Sequence, residues 1–373
     1  MLPLTTPLNW QRVRLGDIGK PCMCKRVMKH QTTRYGEIPF YKIGTFGNTA
    51  DAFISKKLFL EYKTKYSFPK KGDILISASG TIGRAVIYDG KPAYFQDSNI
   101  VWIDNDETLV KNDFLFYAYS NVKWNTEHTT ILRLYNDNFR NTLIPLPPLN
   151  EQSAIANILS ALDRYLYALR ALILKKEGVK KALSFELLSQ RKRLKGFNQA
   201  WQRVRLGDIA NYLTSNLSVE QITQQGKIKV YDVNNFIGYT DTTFISDKPY
   251  ISIVKDGSVG RVRILPPKTN ILSTMGALIA NHRTTTEFLF YLLSNFDFKN
   301  FTSGSIIPHI YFKDYKEKTI FLPPLNEQIA IANILSALDN EIASLKNKKR
   351  QFENIKKALN HDLMSAKIRV LEK

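Results

Sequence analysis

The sequence predicts an α+β protein: two mixed α/β domains joined by two long helices that pair as an antiparallel coiled coil, in a pseudo-two-fold arrangement. Three observations predict it. LPPLNEQ occurs at 146–152 and again at 322–328, and the identity continues with one difference in eighteen through LPPLNEQSAIANILSALD (146–163) and LPPLNEQIAIANILSALD (322–339). WQRVRLGDI occurs at 10–18 and again, letter for letter, at 201–209. After each LPPLNEQ the apolar residues take up helical spacing. A period of 176 to 191 residues is far too long for a solenoid and marks a duplicated module.

The first domain is predicted over 1–147. DILISASGTIGRAVIYDG (73–90) carries two β-rich runs around a Gly-containing turn, a hairpin signature. NDFLFYAYSN (112–121) reads as a helix. A first helical region is predicted over 148–198. It begins after Pro147-Pro148, because proline cannot sit in a helix interior. Asn150 is a good N-cap, and Glu151 places negative charge in the first turn. The apolar stripe runs through Ile155, Leu162 and Leu169, then Leu172, Val179 and Leu183, with Lys176 on the stripe and Gly178 inside the helix. A mid-helix glycine costs about 1 kcal/mol relative to alanine, so a weak point is expected there. RKRLK (191–195) and Gly196 read as the last turn and C-cap.

The second domain, predicted over 199–323, echoes the first. ISIVKDGSVGRVRILPP (251–267) answers the hairpin, YDVNNFIGYTDTTFIS (231–246) answers YKIGTFGNTADAFIS (41–55), and TEFLFYLLSN (286–295) answers the helix. The C-terminal helical region, 324–373, has Asn326 and Glu327 at its start. Ile331, Leu338, Leu345, Phe352, Leu359 and Ala366 then recur every seven residues, flanked by Ile334, Leu335, Ile342, Ile355 and Leu363. Each helix is expected to be ~45 residues, or ~65 Å. An apolar stripe that long needs cover. Either the two stripes pack on each other or each packs on its own domain.

Composition narrows the function. Lys and Arg number 53 against 33 Asp and Glu, a net charge of +20, with a pI near 9.7. That balance points to a polyanion, most often nucleic acid. The two cysteines, Cys22 and Cys24, stand too close for a disulfide and lack a second pair for a zinc site, so they read as reduced packing residues. The N-terminus has neither the charged nor the apolar region of a signal peptide, and no run approaches a membrane span. No amino-methyltransferase [N/D]-P-P-[Y/F], cofactor glycine fingerprint, G-x-S-x-G elbow, H-E-x-x-H or HNH-like cluster occurs.

Both domains share G-x-x-G-R: Gly80, Gly83, Arg84 and Gly257, Gly260, Arg261. It is not a Walker A loop, because no G-K-[ST] follows. Two readings stay open: a tight turn followed by an arginine, or an arginine that meets phosphate or a base edge.

The duplicated LPPLNEQ at the start of a long helix, the W-x-x-x-x-LGDI opening of each domain and SGTIGR inside one resemble the specificity (S) subunit of Type I restriction–modification systems, the HsdS family. The resemblance covers essentially the whole chain. It implies a non-catalytic subunit whose two target-recognition domains each read half of a bipartite, asymmetric DNA site. The helices then set the gap: half-sites on one face of B-DNA lie about 34 Å apart or a multiple of that. It implies, as partners, double-stranded DNA, two methyltransferase (M) subunits and restriction (R) subunits. S-adenosylmethionine, ATP and Mg are then expected on those partners, with no cofactor or metal in this chain, a cytoplasmic location and no membrane. DNA contact is expected from Ser79, Gly80, Thr81, Gly83 and Arg84; from Gly257, Ser258, Gly260 and Arg261; from Ser303, Gly304 and His309 in SGSIIPH (303–309); and from Tyr41, Lys42 and Tyr231. Two identical partners need two equivalent surfaces, so Pro147, Pro148, Asn150, Glu151, Gln152 and Pro323, Pro324, Asn326, Glu327, Gln328 are expected to dock the partner subunits. Ile155, Leu162, Leu169, Ile331, Leu338, Leu345, Phe352 and Leu359 are expected in the coiled-coil core. The alternatives are a coiled-coil scaffold without DNA specificity and a nuclease with an unrecognised site.

Overall fold

The computed structural model describes residues 10–128, 132–304 and 306–370. The reading of the N-terminus falls on 1–9, outside them, as does Ser305 of the 303–309 stretch. The chain divides into two compact units, Met1–Leu169 with Lys348–Lys373, and Arg170–Asn347. The division falls inside both long helices and not at LPPLNEQ, because each domain's core takes in a stretch of each helix.

In the first unit a four-stranded antiparallel sheet runs in the order Gly19–Met23, Ile100–Asn105, Ile74–Ser77, Ala85–Ile87. A three-stranded sheet places Ile38–Tyr41 between Ala52–Ile54 and Tyr94–Phe95, the latter pair parallel. Gln11–Arg14 pairs antiparallel with Leu143–Leu146, tying the start of the domain to the strand that feeds the first long helix. The core gathers Trp10, Leu15, Ile76, Phe114, Phe139 and Ile144 with Ile155 and Leu159 of the first long helix and Leu363 and Met364 of the second. A second, aromatic cluster holds Phe40, Phe46, Phe59, Tyr94, Phe95 and Trp102. Phe59 comes from the helix Lys56–Lys65, capped by the Ser55 hydroxyl.

The second unit repeats this plan. Its four-stranded sheet runs Ala210–Thr214, Met275–Ala280, Tyr250–Val254, Val262–Leu265, and its three-stranded sheet places Ile228–Tyr231 between Phe236–Thr240 and Thr269–Ile271. Gln202–Arg205 pairs with Thr319–Leu322. Trp201, Leu206, Ile251, Phe288 and Tyr315 pack with Ile331 and Leu335 of the second long helix and Leu187 of the first. Among the described residues no helix answers Lys56–Lys65 here, and the second cluster breaks into two small ones around Val254 and Val230.

The long helices span Leu149–Leu188 and Leu325–Met364, 40 residues each. They begin just after the Pro-Pro pairs. Asn150 and Asn326, expected as N-caps, are therefore the second residues of their helices. The first helix runs unbroken through Gly178. Its buried line differs from the expected one after Leu169: Leu172 and Val179 are exposed, while Ile173 and Leu187 are buried. The heptad phase holds without a shift and passes through Lys176 and Lys180. Both lysines are satisfied by carboxylates of the second helix, Lys176 by Glu341 at 2.8 Å and Lys180 by Asp339. In the first unit Tyr165 meets Phe352 with ring centroids 4.7 Å apart, and Lys356 pairs with Asp163 at 2.5 Å. Residues rising in number on one helix meet residues falling on the other, so within each unit the helical segments pair antiparallel. Ile155 and Ile331 belong to domain cores and not to the helix–helix seam; Leu162, Leu338, Leu345, Phe352 and Leu359 are half-buried. The two packing readings therefore both hold, at different turns of the same helices.

Candidate nucleic-acid interface

Each G-x-x-G-R stretch is the turn of a β-hairpin, between Ile74–Ser77 and Ala85–Ile87 in the first unit and between Tyr250–Val254 and Val262–Leu265 in the second. The same backbone bonds close both. Gly83 N donates to Ser77 O at 2.9 Å and Ser77 N to Arg84 O at 3.0 Å; Gly260 N donates to Val254 O at 2.9 Å and Val254 N to Arg261 O at 3.0 Å. All four glycines have positive φ. A side chain at Gly83 would strike the Trp124 indole nitrogen at 2.1 Å, and one at Gly260 the Phe298 ring at 2.6 Å. Gly80 and Gly257 face open space. The glycines thus make the turn, and the arginines leave it. Arg84 Nη1 donates to Phe46 O at 3.0 Å, and Arg261 Nη2 to Asn234 Oδ1 at 2.8 Å. Both reach the loop after the central strand of the three-stranded sheet, which carries Lys42 in one unit and follows Tyr231 in the other.

A two-stranded ribbon lies against each turn. In the second unit Thr302–Ser303 pairs with His309–Ile310, and Asp256 bridges to His309. Gly257 N donates to Pro308 O at 2.9 Å, Ile310 N donates to Lys255 O at 2.9 Å, and His309 Nδ1 sits 2.6 Å from Asp256 Oδ1. In the first unit Glu127–His128 pairs with Leu132–Arg133, and Ser79 bridges to Arg133. The sequence reading chose 303–309 and missed this first ribbon. The signal was present, since Arg133 and His309 are 176 positions apart.

Of the expected contact residues, Thr81, Arg84, Gly257, Ser258, Arg261, Ser303 and Gly304 are exposed around these turns and ribbons, as is Gly80. Ser79 is a correction. It is buried, with its hydroxyl on Asn99 Oδ1 at 2.7 Å, because it closes the base of the hairpin. Gly83 and Gly260 are half-covered by their aromatic neighbours. Tyr41 is half-buried, stacked on Phe95, and Lys42 pairs with Asp51 at 2.8 Å. Tyr231 lies under Arg263, 5.3 Å from ring centroid to guanidinium.

The LPPLNEQ junctions correct a second expectation. Pro147, Glu151, Gln152, Pro323, Glu327 and Gln328 are buried. Trp10 Nε1 donates to Glu151 at 3.0 Å, and Arg369 grips the same carboxylate at 2.6 and 2.9 Å. Trp201 Nε1 donates to Glu327 at 3.0 Å, and Arg193 grips it at 3.2 and 2.6 Å. In each case the carboxylate raises the arginine's pKa. Gln152 Nε2 donates to Pro147 O and Leu109 O, and its Oε1 accepts from Lys111 N; Gln328 Nε2 donates to Pro323 O and Arg283 O, and its Oε1 accepts from Thr285 N. The buried W…EQ pairing locks domain to helix, which removes these six residues from the docking surface expected of them. Only Pro148, Asn150 and Asn326 stay exposed, with Pro324 half-buried.

Both arginines belong to the tail of the other repeat's long helix, as do two further partners. Tyr117 donates to Asp163 at 2.8 Å, with Lys356 on the same carboxylate; Tyr291 donates to Asp339 at 2.9 Å, with Lys180 on it. Burial, then the hydrogen bond to the aspartate, pushes both phenols up. Lys180 and Lys356, like Arg193 and Arg369, are 176 apart, and KKAL at 180–183 recurs at 356–359, a repeat the sequence reading passed over.

Among the described residues no group of three or more His, Cys, Asp or Glu side chains is placed to hold a metal ion, and no helix is long and apolar enough to cross a membrane. Burial raises the Cys24 thiol to about 12, as for a packing residue.

Residues 7–176 and 198–354 match the family model of the Type I restriction modification DNA specificity domain. A putative type I restriction enzyme specificity subunit of Haemophilus influenzae is 62% identical over 152 residues, which is 40% of each chain. The type I restriction enzyme MjaVIII specificity subunit of Methanocaldococcus jannaschii is 25% identical over 411 residues, covering 98% of this chain and 95% of that one. Among solved structures, a Type-I restriction-modification S subunit from M. genitalium has the same fold, with a TM-score of 0.65 at 20% identity over 97% of this chain and 98% of that one.

Proposed function

The chain belongs to the Type I restriction–modification DNA specificity family, and we propose that each of its two domains reads one half of a bipartite, asymmetric duplex site through its G-x-x-G-R turn and adjoining ribbon. The observation that carries this reading is the convergence, in both units, of a glycine turn, an exposed arginine and a ribbon at one edge of the four-stranded sheet. Lysines and arginines there supply phosphate affinity with a steep salt dependence. Arg84, Arg133 and Arg261, with Ser258, Ser303 and His309, present donors for base edges. The backbone frame is common to both domains and the side chains on it differ, as two unlike half-sites require.

The chain itself is non-catalytic in this reading. It brings methyltransferase and restriction subunits to the site, and S-adenosylmethionine, ATP and Mg bind to those partners. The exposed repeats Pro148, Leu149, Asn150, Leu325 and Asn326 then contribute to two equivalent docking faces, in the cytoplasm where the DNA lies.

The test is the methylome. N6-methyladenine is read across the genome of a host carrying this chain and its methyltransferase, and again after deletion of the chain. Loss of methylation at one gapped, asymmetric motif is expected, and exchange of residues 199–323 for another domain then changes one half of the motif. An unchanged methylome beside an active methyltransferase overturns the reading.

A further inference from the structure

Ile306 and Ile307 stand at the tip of the second unit's ribbon with 92% and 55% of their surfaces exposed, and no other large apolar side chain among the described residues is as open as Ile306. Single exposed apolar residues need no explanation. These two are adjacent, β-branched and followed by Pro308, and the frame beneath them is fixed. The ladder of Thr302–Ser303 with His309–Ile310, the bonds of Gly257 N to Pro308 O and of Ile310 N to Lys255 O, and the His309–Asp256 contact at 2.6 Å pin both ends of the loop. Gly304 has φ +90°, and a side chain there would strike Ile307 O at 2.3 Å, so the Ile307 backbone lies close against it. His309 stacks on Tyr311, which lies under Lys313. Lys255, Arg261, Lys299 and Lys313 lie on the segments that frame the tip, with Asp256, Asp297 and Asp314 on the same segments, and Asp256 is engaged by His309. An apolar point on a stiff ribbon flanked by cations matches one surface chemistry: stacked bases between two lines of phosphate.

We propose that Ile306 and Ile307 form a wedge that the second domain presses into the base stack of its half-site. The inference rests on the reading above that this domain binds duplex DNA. The cations hold the phosphates on either side while the side chains separate two stacked base pairs and kink the helix. Pyrimidine–purine steps unstack most readily, so this half-site is selected partly for a step at which few or no base edges are hydrogen-bonded.

The experiment uses the full chain co-expressed with its methyltransferase subunits, and duplexes bearing the methylated motif with 2-aminopurine at each successive position. A several-fold fluorescence rise is expected at one step of the second domain's half-site other than the adenine that the methyltransferase subunits extrude. It disappears in Ile306→Ser/Ile307→Ser, which also binds pyrimidine–purine and other steps alike. No rise at such a step with the native chain, or one that persists there in the variant, overturns the wedge. So does a loss of affinity that uracil-for-thymine substitution reproduces without any rise, because the isoleucines then lie flat on thymine methyl groups. If the variant binds DNA normally but releases the methyltransferase, the tip docks protein and the wedge is wrong. If the native chain selects no DNA sequence at all, the functional reading fails and the wedge with it; selective binding retained by the variant marks failure of the wedge alone.

Discussion

The W…EQ junctions and the hairpin turns are both present twice, yet they repeat in different ways. At the junctions every partner recurs: Trp10 and Trp201, Glu151 and Glu327, Arg369 and Arg193, each pair making the same bonds. At the turns the backbone bonds recur while the side chains carried on them change, Thr81 to Ser258 and, on the ribbon, Arg133 to His309. In the W…EQ pairing, invariance follows burial, where one geometry satisfies every polar group. Difference follows exposure, where nothing in the fold dictates the side chain. Identity at the buried pairing records internal construction, and identity at the exposed Pro148, Leu149 and Asn150 does not.

Breaking the junction should have the largest effect. Glu327→Ala leaves the Trp201 indole N–H buried without an acceptor and releases Arg193, and Glu151→Ala does the same to Trp10 and Arg369. Each should lose about 3 kcal/mol of stability in denaturant titration, toward the upper end of the range for an unpaired buried donor. Equal losses confirm that the two junctions are one design; a loss at one site only breaks the comparison.

The glycines separate the two halves of the turn. Gly80→Ala and Gly257→Ala meet only the backbone penalty of a left-handed residue, about 1 kcal/mol. Gly83→Ala and Gly260→Ala add a collision with Trp124 or Phe298, and should cost about 2 kcal/mol. Thermal melts of the four variants check the order. Arg84→Ala and Arg261→Ala should scarcely move stability, since each arginine is exposed. Each should weaken DNA binding by about 1–2 kcal/mol, with relaxed discrimination in one half of the motif only. Loss spread evenly over both halves would mean the arginines touch phosphate and carry no sequence.

Much of the fold was legible because duplication doubles each signal. The helix starts, the hairpins and the matching helices at 112 and 286 all follow from proline, glycine and apolar spacing. Burial of Glu151 and Glu327 was not legible, since a glutamate in a first helical turn ordinarily faces water and the macrodipole. Only the third repeat, KKAL and the arginine ten residues beyond its last letter, hinted at the partner. The heptad phase after Leu169 was misread because Lys176 and Lys180 occupy core positions. A search for apolar letters slides to Leu172 and Val179, while the long lysine stems keep the true line and take their heads to Glu341 and Asp339. The first ribbon escaped because EHTTILR has none of the glycine and proline that drew attention to SGSIIPH.

The helix ends give the smallest effect and the sharpest version of the comparison. RKRLK with Gly196 promised a glycine cap, but the first helix stops at Leu188 and takes its left-handed residue at Gln190, φ +62°; the second does so at Ala366, φ +55°. At the second helix Lys367 N closes back on Asp362 O at 2.9 Å, the six-to-one bond of a Schellman ending; at the first it is Lys192 N, one residue further along, that closes on Glu186 O at 3.1 Å. In both tails the arginine that grips the junction glutamate follows three residues later. The turn that aims Arg193 and Arg369 is thus held left-handed without the residue that adopts it most readily. Gln190→Gly and Ala366→Gly should each raise stability by about 1 kcal/mol, the left-handed strain relieved less the extra freedom of the unfolded glycine. If the helix end holds the strained residue by itself, the gain should persist unchanged in Arg193→Ala and Arg369→Ala backgrounds. A gain that vanishes there would mean that the cap and the grip form one coupled unit, and that the junction, not the helix end, is where the repeat has its fixed point.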